Sequence, residues 1–149
     1  MVNVTRWDTV AAAGSEPSWV LRGFARGGRR DAVQEGGGHI VNISTSLVDP
    51  ANSAVPSALA SLTKGGLNAV TKVLAVEYAG RGIRSNAVAL GAIRTPMHDP
   101  AAYDTLATLH PVGRLGEVDD VVDAVLYLEN AAFVTGELLH VDGGQSAGH

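Results

Sequence analysis

GGGHIVNIST (residues 36–45), PSALASLTKGGLNAVTKVLAVEYAG (residues 56–80) and GIRSNAVAL (residues 82–90) decide the fold. The first is a glycine turn, then a short β-branched run ending in a polar cluster. It predicts a buried strand over 39–45 with hydroxyls at its carboxyl end. The second carries Leu59, Leu62, Leu67, Val70, Val73, Leu74 and Tyr78 at helical spacing, a stripe that must bury against something. It predicts one helix over 56–80, with Pro56 at the first helical position and Gly80 at a left-handed cap. Gly65 and Gly66 each cost about 1 kcal/mol against alanine in a helix interior and are read as close packing on a neighbour. The third predicts a second buried strand over 83–89, with Gly91 turning the chain. Strand, helix, strand is a βαβ unit, so the class is α/β with a parallel sheet and a right-handed crossover. Ligands of such open sheets sit beyond the carboxyl strand ends. Ser44, Thr45, Ser46, the loop 90–98 and the start of the helix converge there.

Working outward, ALGAIRTPMHDP (89–100) is a loop by its glycine and prolines, and AAYDTLATLH (101–110) predicts a short mobile helix over the site. A further helix is expected over 117–129, where Glu117, Asp119 and Asp120 suit the positive helix start. FVTGELLHVDGG (133–144) holds a third strand, about 137–141. Residues 1–35 fit no period. Their arginine- and glycine-rich part reads as a solvated basic loop, and Gly23, Gly27 and Gly28 fail as a nucleotide turn because no strand feeds them and no amphipathic helix leaves. The chain therefore divides into an atypical segment, 1–35, and a structured unit, 36–149.

Composition narrows the function classes. A length of 149 residues suits one domain with a closed core. A formal net charge of −4 argues against a phosphate-neutralising nucleic-acid surface. The sequence has no cysteine, which excludes disulfides and thiolate metal sites. No apolar run approaches the ~20 residues needed to span a bilayer, and no signal-peptide pattern opens the chain. The expectation is a soluble, cytoplasmic protein with neither a nucleic-acid nor a membrane partner.

Several motifs in order then resemble the short-chain dehydrogenase/reductase family over about residues 36–149. GGHIVNIST is similar to its strand bearing a catalytic hydroxyl, and ASLTKGGLNAVTK (60–72) to its catalytic helix. GIRSNAVALGAIRTPM (82–97) is similar to the next strand and the loop that holds the nicotinamide. GRLGEVDDVVDAVLYLE (113–129) and FVTGELLHVDGG resemble the closing helix and strand. The resemblance implies a Rossmann-like (doubly wound) parallel sheet, here partial. It implies NAD or NADP as cofactor, and a ketone or secondary alcohol as substrate.

The resemblance also implies residue roles. Lys64 matches the lysine that lowers the pKa of a catalytic tyrosine and holds the nicotinamide ribose. The tyrosine's place, one turn earlier on the same helix face, is taken by Ala60. The hydroxyl that polarises the substrate carbonyl maps to Thr45, with Ser46 as its neighbour, and Ser44 joins the cofactor side. Ile93 and Thr95 match the grip on the cofactor carboxamide, and Leu90 replaces the proline before Gly91. Tyr103, His98 and His110 are candidate replacements for the missing acid. No stretch matches the family's glycine-rich pyrophosphate turn. The reading is a truncated or degenerate oxidoreductase, the alternative a non-catalytic binding or assembly subunit. A homo-oligomer is expected, through helix 56–80 and strand 137–141.

Overall fold

In the computed structural model, which describes residues 37–49 and 55–148, three parallel strands form one sheet in the order β1-β2-β3. β1 (Gly38–Thr45) pairs with β2 (Ile83–Leu90) from Gly38↔Ile83 to Thr45↔Leu90. β2 pairs with β3 (Leu138–Val141) from Ala87↔Leu138 to Leu90↔Val141. The expected βαβ unit and α/β class are present, and the atypical segment 1–35 lies outside the described residues. α1 (Ala58–Tyr78) joins β1 to β2. A 3-10 turn, Pro100–Ala102, leads into the short α2 (Tyr103–Ala107), and α3 (Val118–Asn130) precedes β3. No helix among the described residues is long and apolar enough to cross a membrane.

α1 is shorter than expected at both ends. The Ser61 N–H donates to the Ser57 carbonyl at 2.7 Å, which makes Ser57 the N-cap and leaves Pro56 outside the helix. Gly80 falls within a 3-10 turn, Ala79–Arg81, and the left-handed residue is Gly82 at φ 72°. Tightening the last turn satisfies orphan carbonyls before the chain reverses.

The larger correction concerns which face of α1 is buried. Leu59 and Leu62 are 75 % and 76 % exposed, and Val73 is exposed too. The sheet instead meets Asn68, Thr71, Leu74 and Ala75. Asn42 Nδ2 donates to Thr71 Oγ1 at 2.8 Å, and Ser44 Oγ donates to Asn68 Oδ1 at 2.5 Å. These pairs satisfy polar groups that would be costly to bury alone. Side chains alternate along a strand, so the small, fully buried Ser85, Ala87 and Ala89 of β2 lie on the same face and admit the helix closely. The two helix glycines are not explained by packing within the described residues. A Cβ on Gly65 would meet Val48 at an ordinary 3.5 Å, and one on Gly66 would meet nothing.

The opposite sheet face is apolar. Val88, Ala124 and Leu128 form its buried centre, flanked by Val41, Ile43, Leu139 and Val141. α3 starts in a capping box: the Glu117 side chain accepts a backbone N–H at the third position, and Asp120 accepts the Glu117 N–H. The Arg114 guanidinium at 2.8 Å also holds the Asp120 carboxyl down to about 2.

A polar hub closes the amino end of the sheet. Arg84 donates to the Leu128, Glu129 and Val134 carbonyls at 2.8, 3.0 and 3.1 Å, the first two being C-terminal carbonyls of α3. Asn86 Oδ1 accepts the Glu137 N–H, so its Nδ2 must donate, to the Val134 carbonyl and to His39 Nε2 at 2.9 Å. His39 therefore carries its proton on Nδ1, which donates to Glu129 at 2.8 Å. Burial lowers the His39 pKa, the Glu129 contact raises it and Arg84 lowers it again, and the net direction is down from 6.5. Protonation would turn Nε2 into a donor facing two donors. Because the folded pKa is depressed, stability is complete above about pH 6.5 and is lost as pH falls below it, by at most about 1.4 kcal/mol per pH unit. Urea unfolding at stepped pH checks this, and His39→Gln should flatten the dependence below pH 6.5.

Candidate functional site

Parallel strands end together, so β1, β2 and β3 present their carboxyl ends along one edge, beside the first half of α1. There Lys64 Nζ donates to the Ile43 carbonyl at 2.8 Å. Lys64, Asn68 and Thr71 share one helix face. The Asn68–Ser44 and Thr71–Asn42 bonds set the helix register that carries the ammonium to the end of β1. Ala60, one turn before Lys64, is half-buried and offers a methyl group.

The three candidate hydroxyls have different environments. Ser44 is buried and spent on Asn68. Ser46 is fully buried, within 3.2 Å of both the Leu90 carbonyl and Gln145 Oε1. Thr45 alone is partly exposed; its Oγ1 lies 3.2 Å from the Leu90 carbonyl and accepts the Leu47 N–H at 3.3 Å. Leu90 thus supplies the carbonyl that gathers both neighbouring hydroxyls.

Beyond Leu90 the chain is pinned from several sides. The Gly91 N–H donates to the Val141 carbonyl at 3.0 Å. A Cβ on Gly91 would lie 2.6 Å from His110 Nε2 and 2.9 Å from Asp142 Cα, so only glycine fits. The Arg94 N–H and Gly116 N–H bond across to form a bridge that pairs Ile93 with Gly116 and buries Ile93. Thr95 is half-buried and its carbonyl accepts the His98 N–H. The exposed Arg94 between them pairs with Glu117 at 2.8 Å and stacks on the Tyr103 ring at 4.7 Å, clamping α2 to the loop. At the end of β3, burial opposes ionisation of Asp142, but the Ser146 hydroxyl and the Ser146 and Gly144 N–H groups outweigh it and hold the carboxyl below its usual range.

None of the stand-in acids is hydrogen-bonded to Lys64 among the described residues. Tyr103 lies under Arg94, His98 sits in the Thr95 turn, and both ring nitrogens of His110 are engaged elsewhere. The donor set nonetheless fits one end of a nicotinamide cofactor. An ammonium has three N–H donors, and the Ile43 carbonyl accepts one at the strand end. Lys64, Ile93 and Thr95 could hold such a cofactor.

Comparison with known proteins identifies the family. The family model described as Enoyl-(Acyl carrier protein) reductase matches residues 21–146. The chain belongs to the short-chain dehydrogenase/reductase family. It is 40% identical over 112 residues to carbonyl reductase family member 4 of Xenopus laevis, covering 75% of this chain and 47% of that protein. It is 35% identical over 133 residues to a galactitol 2-dehydrogenase of Cereibacter sphaeroides, covering 85% of this chain and 51% of that one. Among solved structures, ElxO with NADP bound superposes at a TM-score of 0.70 with 30% identity, over 88% of this chain and 52% of that chain. The chain therefore spans about half the length of the family members it matches.

Two polar constellations escaped the sequence reading. The ladder Lys64, Asn68, Thr71 has spacing i, i+4, i+7, a signal open to detection but masked by the more apolar stripe on the other side. The hub of Arg84, Asn86 and His39 draws on β1, β2 and the α3 end, and no local spacing reveals it.

Proposed function

We propose that this chain carries the nicotinamide-facing side of an NAD(P)-dependent oxidoreductase site for a ketone or secondary alcohol, with its proton-transfer step disabled. The observation that supports this most is the Lys64 ammonium held on the Ile43 carbonyl at 2.8 Å, with Thr45, the partly exposed member of the three candidate hydroxyls, two residues further along β1. NAD or NADP, when bound, would supply hydride chemistry at the substrate carbon. Lys64 binds the ribose, Thr45 polarises the carbonyl oxygen, and Ile93 and Thr95 orient the carboxamide. Ser44 and Ser46 act on the frame rather than on substrate. Ala60 has no proton to give. A ligand that binds only the native state must raise stability, by about 2.7 kcal/mol at a hundred times its Kd. NADH or NADPH should therefore raise the melting temperature, and Lys64→Ala should diminish the rise. No rise with either nucleotide overturns the reading.

A second reading, a non-catalytic assembly subunit, is favoured by the exposed face of α1. Leu59, Leu62, Val73 and Val76 are 75, 76, 52 and 81 % exposed along one helix. Such a stripe suits a second copy of the same helix, with Gly66 allowing close approach, and Leu138–Val141 offers the second contact. Val70 is half-buried, so the outward Val73 is the better probe. Val73→Lys should convert the oligomer to a monomer in sedimentation, with the folded spectrum kept. A monomeric parent protein would remove this reading.

A further inference from the structure

His110 joins three segments through one buried ring. Its Nε2 lies 3.0 Å from the Ala92 nitrogen and its Nδ1 lies 2.8 Å from the Arg114 carbonyl oxygen. An amide N–H can only donate and a carbonyl can only accept, so the imidazole is neutral with its proton on Nδ1. The residue is 3 % exposed. Backbone closes on two sides: a Cβ on Gly91 would lie 2.6 Å from Nε2, and one on Gly143 would lie 3.0 Å from the His110 Cβ. His110, Ala92, Arg114, His140 and Asp142 also line a cavity of about 370 Å³. The two hydrogen bonds orient the ring between its backbone partners.

Ala92 is held at both backbone groups. Its N–H goes to His110, and its carbonyl accepts the Gly116 N–H at 3.0 Å in the bridge that buries Ile93. His110 follows α2 in the chain, Arg114 leads into the α3 cap, and Ala92 opens the loop to Ile93 and Thr95. We propose that His110 is a positioning residue: a brace, fixed in one tautomer, that sets the Ala92–Thr95 loop in the conformation that receives the nicotinamide carboxamide. The ligand rests on the function proposed above, whereas the brace does not. What the role demands is an acceptor at the Nε2 position. Glutamine can supply one at similar reach, and leucine fills the space without one.

The test uses the full chain with NADH and NADPH as probes. Imidazole nitrogen shifts should show a protonated Nδ1 and a bare Nε2 on His110. Exchange of the Ala92 amide should quicken by on the order of tenfold in His110→Leu and stay slow in His110→Gln, while β1–β2 amides such as Asn42 keep their protection in both. An unchanged Ala92 rate in His110→Leu, or equal acceleration in both variants, overturns the brace. Should the leucine variant unfold, the tautomer decides: a proton on Nε2 refutes the proposal. The melting shift induced by whichever of NADH and NADPH the parent protein answers to should be lost in His110→Leu and kept in His110→Gln, and equal shifts in all three proteins refute a role toward the cofactor. Absence of a shift with both nucleotides in the parent protein defeats the proposed function instead, and the exchange rates still judge the brace.

Discussion

Turnover of a simple ketone by the purified chain with NADPH is expected at least about a hundredfold below that of a family member with tyrosine at the Ala60 position, since a positioned general acid is worth about 10²–10⁴-fold. Lys64 is anchored at the strand end by its bond to the Ile43 carbonyl at 2.8 Å, and the function proposed above gives its remaining donors to the ribose. Thr45 and Ser46 cannot replace the missing acid; their hydroxyls lie 3.2 Å from the Leu90 carbonyl and have ordinary alcohol acidity. Tyr103 is stacked beneath Arg94, and His110 is locked between Ala92 and Arg114. Following NADPH absorbance with a panel of ketones measures this directly. Robust turnover that Lys64→Ala abolishes would mean that some other group delivers the proton, and the disabled site proposed here would be wrong.

That expectation could be formed from sequence because the family resemblance implies a tyrosine one helical turn before Lys64, where this chain has Ala60. The strands were legible from local pattern: GHIVNIST and IRSNAVAL are short, β-branched and bounded by glycine, and their parallel pairing follows from the helix between them. The buried face of α1 was not legible. A hydrophobic stripe is normally the inward one, yet Leu59 and Leu62 are exposed while Asn68 and Thr71 are buried. The reason lies in β1, whose Asn42 and Ser44 point to the helix and demand polar partners. Pairing across elements, not the periodicity of either one, chose the face. The hydroxyls show the same limit. Thr45 and Ser46 are neighbours in sequence, but the strand pleat and the Gln145 side chain from the last described turn bury only Ser46 completely. His110 read as a spare acid because its Ala92 partner lies far back in the chain and its Arg114 partner is a backbone carbonyl in a turn, which no side-chain spacing reveals.

Leu128→Ala should be the most damaging single truncation on the apolar face, at about 3 kcal/mol, within the range of about 2–5 for removing a buried leucine. Leu128 is fully buried and, with Val88 and Ala124, makes the whole buried centre beneath α3. Neither companion can expand to fill the gap, because valine and alanine are short and Val88 is held in the strand ladder. The partly buried Val41, Ile43, Leu139 and Val141 around them would have to move inward together, and strand pairing on β1 and β3 resists that. The backbone at Leu128 is fixed as well, since Arg84 Nη1 donates to its carbonyl at 2.8 Å. The helix therefore cannot slide to close the cavity without giving up that charge-assisted bond, worth about 1.5–3 kcal/mol. Leu126, on the same helix but 45 % exposed, provides the control; its truncation should stay within about 0.5 kcal/mol. Urea unfolding of both variants at neutral pH separates them: the Leu128 midpoint falls with the slope unchanged. A loss below about 1 kcal/mol for Leu128→Ala would mean that the site relaxes more than the Arg84 and strand constraints allow, and the account of α3 as a pinned cover over this face would fail.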